Sequence, residues 1–150
     1  MNQFGEQNFV IGCNYWASHA GTDMWRDWRP EVIEDDFRRL ESLHLEIVRV
    51  FPLWPDFQPL SRFSGCGNQP QQLRWRDGGE IPIDADGRTS GVDPEMLGRL
   101  RWVCDCALRH RLRLGIGLVT GWMSGRMFTP PAFEGCNPLL DPLVIRWQLK

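Results

Sequence analysis

One arginine and a set of loop tryptophans are the residues whose type and placing could do chemistry. Arg49 lies inside Glu46-Ile47-Val48-Arg49-Val50-Phe51, a strand-like run otherwise made of Ile, Val and Phe. A guanidinium there either reaches solvent near a strand end or needs a carboxylate, because an unpaired buried charge is costly. Beside a carboxylate it would keep that group ionised, as a catalytic carboxylate requires. Six of the eight tryptophans fall in three loops, each following a short apolar run. Trp16, Trp25 and Trp28 follow Phe9–Cys13, Trp54 and Trp75 follow Ile47–Phe51, and Trp122 follows Leu114–Val119. Rings gathered at one kind of strand end suggest a surface that stacks on something flat, such as a sugar ring or a base.

Other reactive side chains carry less. The loop acids Asp23, Asp27, Asp56, Asp77, Glu80 and Glu134 could each bind a hydroxyl, but none forms an obvious pair at a strand end. His44 and His110 fall at helix ends, where capping is the expected role; His19 lies in the first long loop and could touch a ligand. Of the five cysteines, Cys104 and Cys106 are two apart on a helical pattern and point to different faces, a poor start for a shared metal site. Free thiols are expected, with a Cys66–Cys136 loop bridge left open. Gly115-Ile116-Gly117-Leu118-Val119-Thr120-Gly121 lacks the spacing of a dinucleotide fingerprint, and no helix follows it directly. No cofactor or metal is expected.

The elements that must position these residues follow a regular order. The first strand is Phe9-Val10-Ile11-Gly12-Cys13-Asn14, a continuous apolar run suited to burial on both faces. Pro30 starts a helix whose stripe is Ile33, Phe37 and Leu40, with acids near its N-terminus, ending near Leu43. The second strand, 46–51, is stopped by Pro52 and Pro55. Residues 52–92 form a long excursion, in which 73–76 and 80–84 could pair as a hairpin. Asp93-Pro94 opens a second helix, Leu112–Val119 is a third strand, residues 120–140 are loop, and Asp141-Pro142 opens a third helix. Strand-helix alternation predicts an α/β fold with parallel strands and right-handed crossovers. The αβ turns are short and the βα loops long, so a site is expected at the carboxyl ends of the strands.

Bulk composition narrows the partners. With 150 residues, 42% hydrophobic and 24% charged, the chain suits one soluble domain. A formal net charge of −2 without a basic cluster argues against nucleic acid. No run approaches the length of a membrane span, so no membrane partner is expected. Met1 to Asn8 lacks the basic region and apolar core of a secretory signal, which makes cytoplasmic the expected location.

The ordered set Phe9-Val10-Ile11-Gly12-Cys13-Asn14-Tyr15-Trp16, Met24-Trp25-Arg26-Asp27-Trp28, Val48-Arg49-Val50-Phe51-Pro52-Leu53-Trp54-Pro55-Asp56-Phe57 and Gly121-Trp122-Met123-Ser124-Gly125 resembles the N-terminal part of a clan A glycoside hydrolase. The nearest likeness is to cellulase- and mannanase-like family 5 enzymes. That resemblance implies a (β/α)₈ (TIM) barrel cleaving β-glycosidic bonds with retention through two glutamates. It implies that Arg49 supports the nucleophile, and that the loop aromatics form sugar subsites. The candidate substrate-binding residues are Asn14, Tyr15, Trp16, Trp54, Asp56 and Trp122.

The family's acid/base glutamate follows an asparagine after the fourth strand, and its nucleophile follows the seventh. Residues 1–150 contain no Asn-Glu pair. A full barrel takes roughly 250 residues. The expectation is therefore a partial barrel of about three βα units, truncated in its third helix, lacking both catalytic glutamates and inactive alone. Exposed sheet edges would favour self-association. The competing expectation is a non-catalytic carbohydrate-binding or subunit-like module completed by a partner. A doubly wound cofactor-binding domain is disfavoured by the missing phosphate-binding glycines.

Overall fold

The computed structural model describes residues 10–63, 72–76, 78–83 and 86–150. Along the chain come β1 (Gly12–Asn14), α1 (Pro30–Ser42), β2 (Ile47–Val50), α2 (Trp54–Phe57), β3 (Leu60–Phe63), β4 (Gln72–Trp75), α3 (Pro94–Arg109), β5 (Arg113–Ile116), β6 (Trp122–Met123), β7 (Arg126–Met127) and α4 (Pro142–Gln148). The chain forms two compact units. One holds residues 1–51 and 102–117, the other 52–101 and 118–150; α3 passes from the second to the first between Arg101 and Trp102.

The first unit is built on a parallel sheet in the order β1-β2-β5. Cys13, Val48 and Leu114 form one row across it, and Asn14, Arg49 and Gly115 the next. Side chains of neighbouring rows point to opposite faces. Val48 is fully buried while Asn14 and Arg49 are exposed, so the buried face is the Val48 face. Gly12 is required by closeness: a Cβ there would lie 2.6 Å from the Ile47 carbonyl oxygen. The α1 stripe forms as its spacing predicts, with Ile33 and Phe37 fully buried. Phe9, expected in the first strand, lies outside the described residues.

Both short αβ turns of this unit use the same device. After α1, Leu45 N donates to Leu40 O and His44 N to Glu41 O. After α3, Leu112 N donates to Ala107 O and Arg111 N to Leu108 O. These are Schellman pairs, and the residue each needs in the left-handed region is His44 (φ 58°) and Arg111 (φ 57°). His44 thus occupies a capping position through its backbone.

The second unit has its own core of Trp54, Leu60, Ala132, Phe133, Val144 and Trp147. Its hairpin differs from the expected one. Residues 72–75 pair with 60–63 in antiparallel register, Leu60 opposite Trp75 and Phe63 opposite Gln72. Segment 80–84 supplies no strand among its described residues, though Trp75 makes one bridge back to Gly79; Asp84 and Asp77 lie outside the described residues. The stretch 120–140 is not all loop either. Trp122 pairs with Met127 across a tight turn in which Ser124 (φ 51°) and Gly125 (φ 76°) are both left-handed, the requirement of a type I′ hairpin. Both Asp-Pro helix starts form: Asp93 Oδ1 accepts from Glu95 N (2.9 Å), and Asp141 Oδ1 from Leu143 N (2.9 Å). Among the described residues no helix is long and apolar enough to cross a membrane.

Candidate functional site

At the carboxyl ends of β1 and β2 the first unit presents Asn14, Tyr15, Trp16 and Arg49. Tyr15 N donates to Arg49 O (2.8 Å), which carries the parallel ladder one residue past β1. Asn14 and Arg49 face each other across the register and both are exposed. A Cβ on Gly115 would meet the Arg49 Cγ at 3.7 Å, so the bare glycine leaves the arginine stem a flat bed. The guanidinium carbon sits 4.8 Å from the Phe51 ring centroid, and Trp16 stacks on the same ring at 5.3 Å with 21° between planes. Phe51, which is 3% exposed, thereby fixes both the cation and the half-buried indole.

Tyr15 faces the other way. It is 4% exposed, packs edge-on to Phe37 at 4.9 Å, and its hydroxyl donates to Asp36 Oδ2 (3.0 Å). The same oxygen accepts from Ser18 N (2.9 Å). Burial, and then the Asp36 charge, push the phenol pKa up, so it stays a neutral donor. Tyr15 therefore ties the β1 loop to α1.

The tryptophans divide between core and surface. Trp25 is fully buried, and its Nε1 donates to Phe51 O (2.9 Å). Trp28 stacks on Trp25 at 6.2 Å and meets Trp102 edge-on at 5.6 Å. In the second unit Trp54 is 5% exposed, stacks on Phe133 at 5.5 Å and donates from Nε1 to Gln58 Oε1 (2.8 Å). Asp56 is also buried. Trp122 is the exposed tryptophan of that unit, at 63%. The sequence reading missed Gln58. Its buried amide accepts from Trp54 and donates to Ser90 O (2.6 Å) and Trp147 O (3.2 Å), joining three segments. A glutamine just past a four-residue helix gives no signal of that role.

His19 is turned inward, its Nε2 2.8 Å from Asp27 O. His110 holds the C-cap position of α3 through its backbone, N–H to Cys106 O (3.1 Å), while its side chain turns away: its Nδ1 lies 2.9 Å from Glu41 Oε2 and its Nε2 2.7 Å from Glu34 Oε1. Glu34 also accepts from Arg109 and from the Cys106 thiol. The Arg109 and His110 hydrogen bonds hold the Glu34 pKa down at about 2, while burial and the Glu34 carboxylate push Cys106 up to about 12. Cys66 lies outside the described residues.

No family model and no curated protein matches the sequence. Solved structures do. The exo-β-1,4-mannosidase Op5Man5 from Opitutaceae bacterium strain TAV5 is 30% identical, with a TM-score of 0.69 over 93% of this chain. A GH5_18 protein from Streptomyces cattleya, solved with GlcNAc, is 23% identical with a TM-score of 0.67 over 92% of the chain. One from Bifidobacterium longum subsp. longum is 20% identical at 0.66 over 92%. The chain spans only 20% of the first and 27% of the other two. The structures it resembles are thus family 5 glycoside hydrolases, and its fold matches one part of their barrel.

Proposed function

We propose that residues 1–150 form the N-terminal portion of a retaining glycoside hydrolase domain that cleaves β-glycosidic bonds, with β-1,4-linked mannosides as the substrate class. The observation that carries this is the exposed row of Asn14 and Arg49 at the carboxyl ends of parallel strands. The 30% identity to an exo-β-1,4-mannosidase supports the substrate class. Asn14 offers an amide to sugar hydroxyls. Trp16 in the first unit, and separately Trp122 in the second, each offer a ring face to the apolar side of a pyranose. Arg49 stands where a carboxylate from elsewhere in the barrel would be held ionised for attack on the anomeric carbon. Tyr15 and Trp54 act beneath the surface, holding the loops that carry these groups, and Asp56 is buried beside Trp54.

Retention needs two carboxyl groups roughly 5–5.5 Å apart. The present residues supply the supporting arginine and part of the sugar wall, not that pair. The purified 150-residue chain should therefore not hydrolyse an aryl β-mannoside or aryl β-glucoside. Measurable turnover, abolished by a substitution within these residues, would overturn the reading.

A further inference from the structure

A second cluster with binding chemistry lies in the first unit, away from the Asn14–Arg49 row. Cys106 lies in the last turn of α3 and His110 directly follows the helix, its N–H still donating to Cys106 O (3.1 Å), so the two side chains, four residues apart, leave one face. Glu34 reaches them from α1. One donor atom of each, the Cys106 Sγ, a His110 ring nitrogen and a Glu34 carboxylate oxygen, lies within 4.8 Å of the others. His110 Nε2 is 2.7 Å from Glu34 Oε1, and Cys106 Sγ is 3.4 Å from Glu34 Oε2. A tetrahedral zinc ion, about 2.0–2.3 Å from each donor, spaces its ligand atoms roughly 3.3–3.8 Å apart. The His–Glu pair must open and the widest pair close by about an ångström, within the reach of side-chain torsions.

The surroundings fit the same use. Glu41 Oε2 lies 2.9 Å from His110 Nδ1; with the proton kept on that nitrogen, loss of the Nε2 proton that bonds Glu34 would free Nε2 to bind a metal between Glu34 and Cys106. A carboxylate on the far nitrogen is the usual support of a metal-bound imidazole. Cys106 is fully buried and His110 is 8% exposed. Thiolate and imidazole together select zinc over the hard cations magnesium and calcium. Arg109 competes for Glu34, but its side chain is 48% exposed and can turn to solvent once a dication neutralises the carboxylate.

We propose that Glu34, Cys106 and His110 bind a zinc ion that clasps α1 to α3, with Glu41 orienting His110 and water in the fourth position. Binding exchanges the Cys106 S–H bond for an S–Zn bond, and the proton leaves to the buffer. The site stands independently of the sugar-binding reading.

The test is titration of the chelator-treated 150-residue chain with Co(II), followed by Zn(II) displacement. A thiolate-to-cobalt charge-transfer band, saturating at about one ion per chain, is expected. Cys106→Ser should abolish it, and Cys104→Ser, on another face of α3, should preserve it. Glu41→Gln should weaken binding about 10-fold or more. Circular dichroism checks that each variant folds. Should Cys106→Ser fail to fold, zinc must still raise the unfolding temperature of the wild-type chain and not that of His110→Gln. A folded wild-type chain with no such band, or an equal band in folded Cys106→Ser, would overturn the proposal.

Discussion

Arg49 holds its guanidinium over the Phe51 ring, 4.8 Å from the centroid, and among the described residues no carboxylate shares it. The cation is pre-positioned by an aromatic face and left open on the sheet surface. Exposed cation–π contacts are worth about 0.5–1 kcal/mol. Arg49→Ala should thus lower the stability of the 150-residue chain by no more than about 1 kcal/mol in urea unfolding. In a complete barrel carrying this segment, the same change should cut kcat strongly, and Arg49→Lys should not restore it, because an ammonium lacks the planar fork. Full activity of the alanine variant would remove the assigned role.

Tyr15 to Asp36 is a different kind of contact, a buried hydrogen bond to a carboxylate that joins the β1 loop to α1. Hydrogen bonds to charged groups contribute about 1.5–3 kcal/mol. Tyr15→Phe keeps the Phe37 packing and removes the donor, so it should cost an amount in that range. A loss below about 0.5 kcal/mol would mean that water replaces the hydroxyl.

The Glu34 carboxyl has its pKa lowered from 4.5 to about 2. A depressed carboxyl contributes stability that is present above its unfolded value and lost as pH falls through the folded one. In chelator, acid unfolding should therefore steepen between pH 4.5 and about 2, and Glu34→Gln should flatten that part of the curve. Identical curves for the two proteins would show that the Arg109 and His110 contacts do not matter in solution.

His44 and Arg111 hold φ values of 58° and 57° at the two Schellman turns. An L-residue there costs about 1–2 kcal/mol, partly offset by the extra unfolded-state entropy of glycine. His44→Gly and Arg111→Gly should each raise stability by about 0.5–1 kcal/mol, read as a higher Tm. A lower Tm for both would mean that their side chains contribute more than the strain costs.

Local signals were the legible ones. Asp-Pro at 93–94 and 141–142 opens helices because the side chain caps while the ring fits the first turn. Alternation of apolar runs with amphipathic stripes was enough for a parallel sheet. Pairing across sequence was not: Leu60-Ser61-Arg62-Phe63 has too little apolar alternation to announce the partner of Gln72–Trp75. Loop tryptophans were also ambiguous. Trp25 and Trp122 follow similar strand ends, yet one is fully buried and the other open, since burial depends on the opposing wall and not on ring type. The position of His110 at a helix end was legible, but its side-chain partners were not, because Glu34 and Glu41 are about 70 residues away in the chain and become neighbours only when α1 packs near α3.

The most direct test of the sugar-facing account is an NMR titration of the 150-residue chain with a β-1,4-linked manno-oligosaccharide, following the indole N–H signals. Trp16 and Trp122 should shift with sugar concentration. Trp25 and Trp54, whose Nε1 groups are bonded to Phe51 O and Gln58 Oε1, should stay in place. Stationary Trp16 and Trp122 signals at saturating sugar, or shifts led by Trp25 and Trp54, would contradict the account.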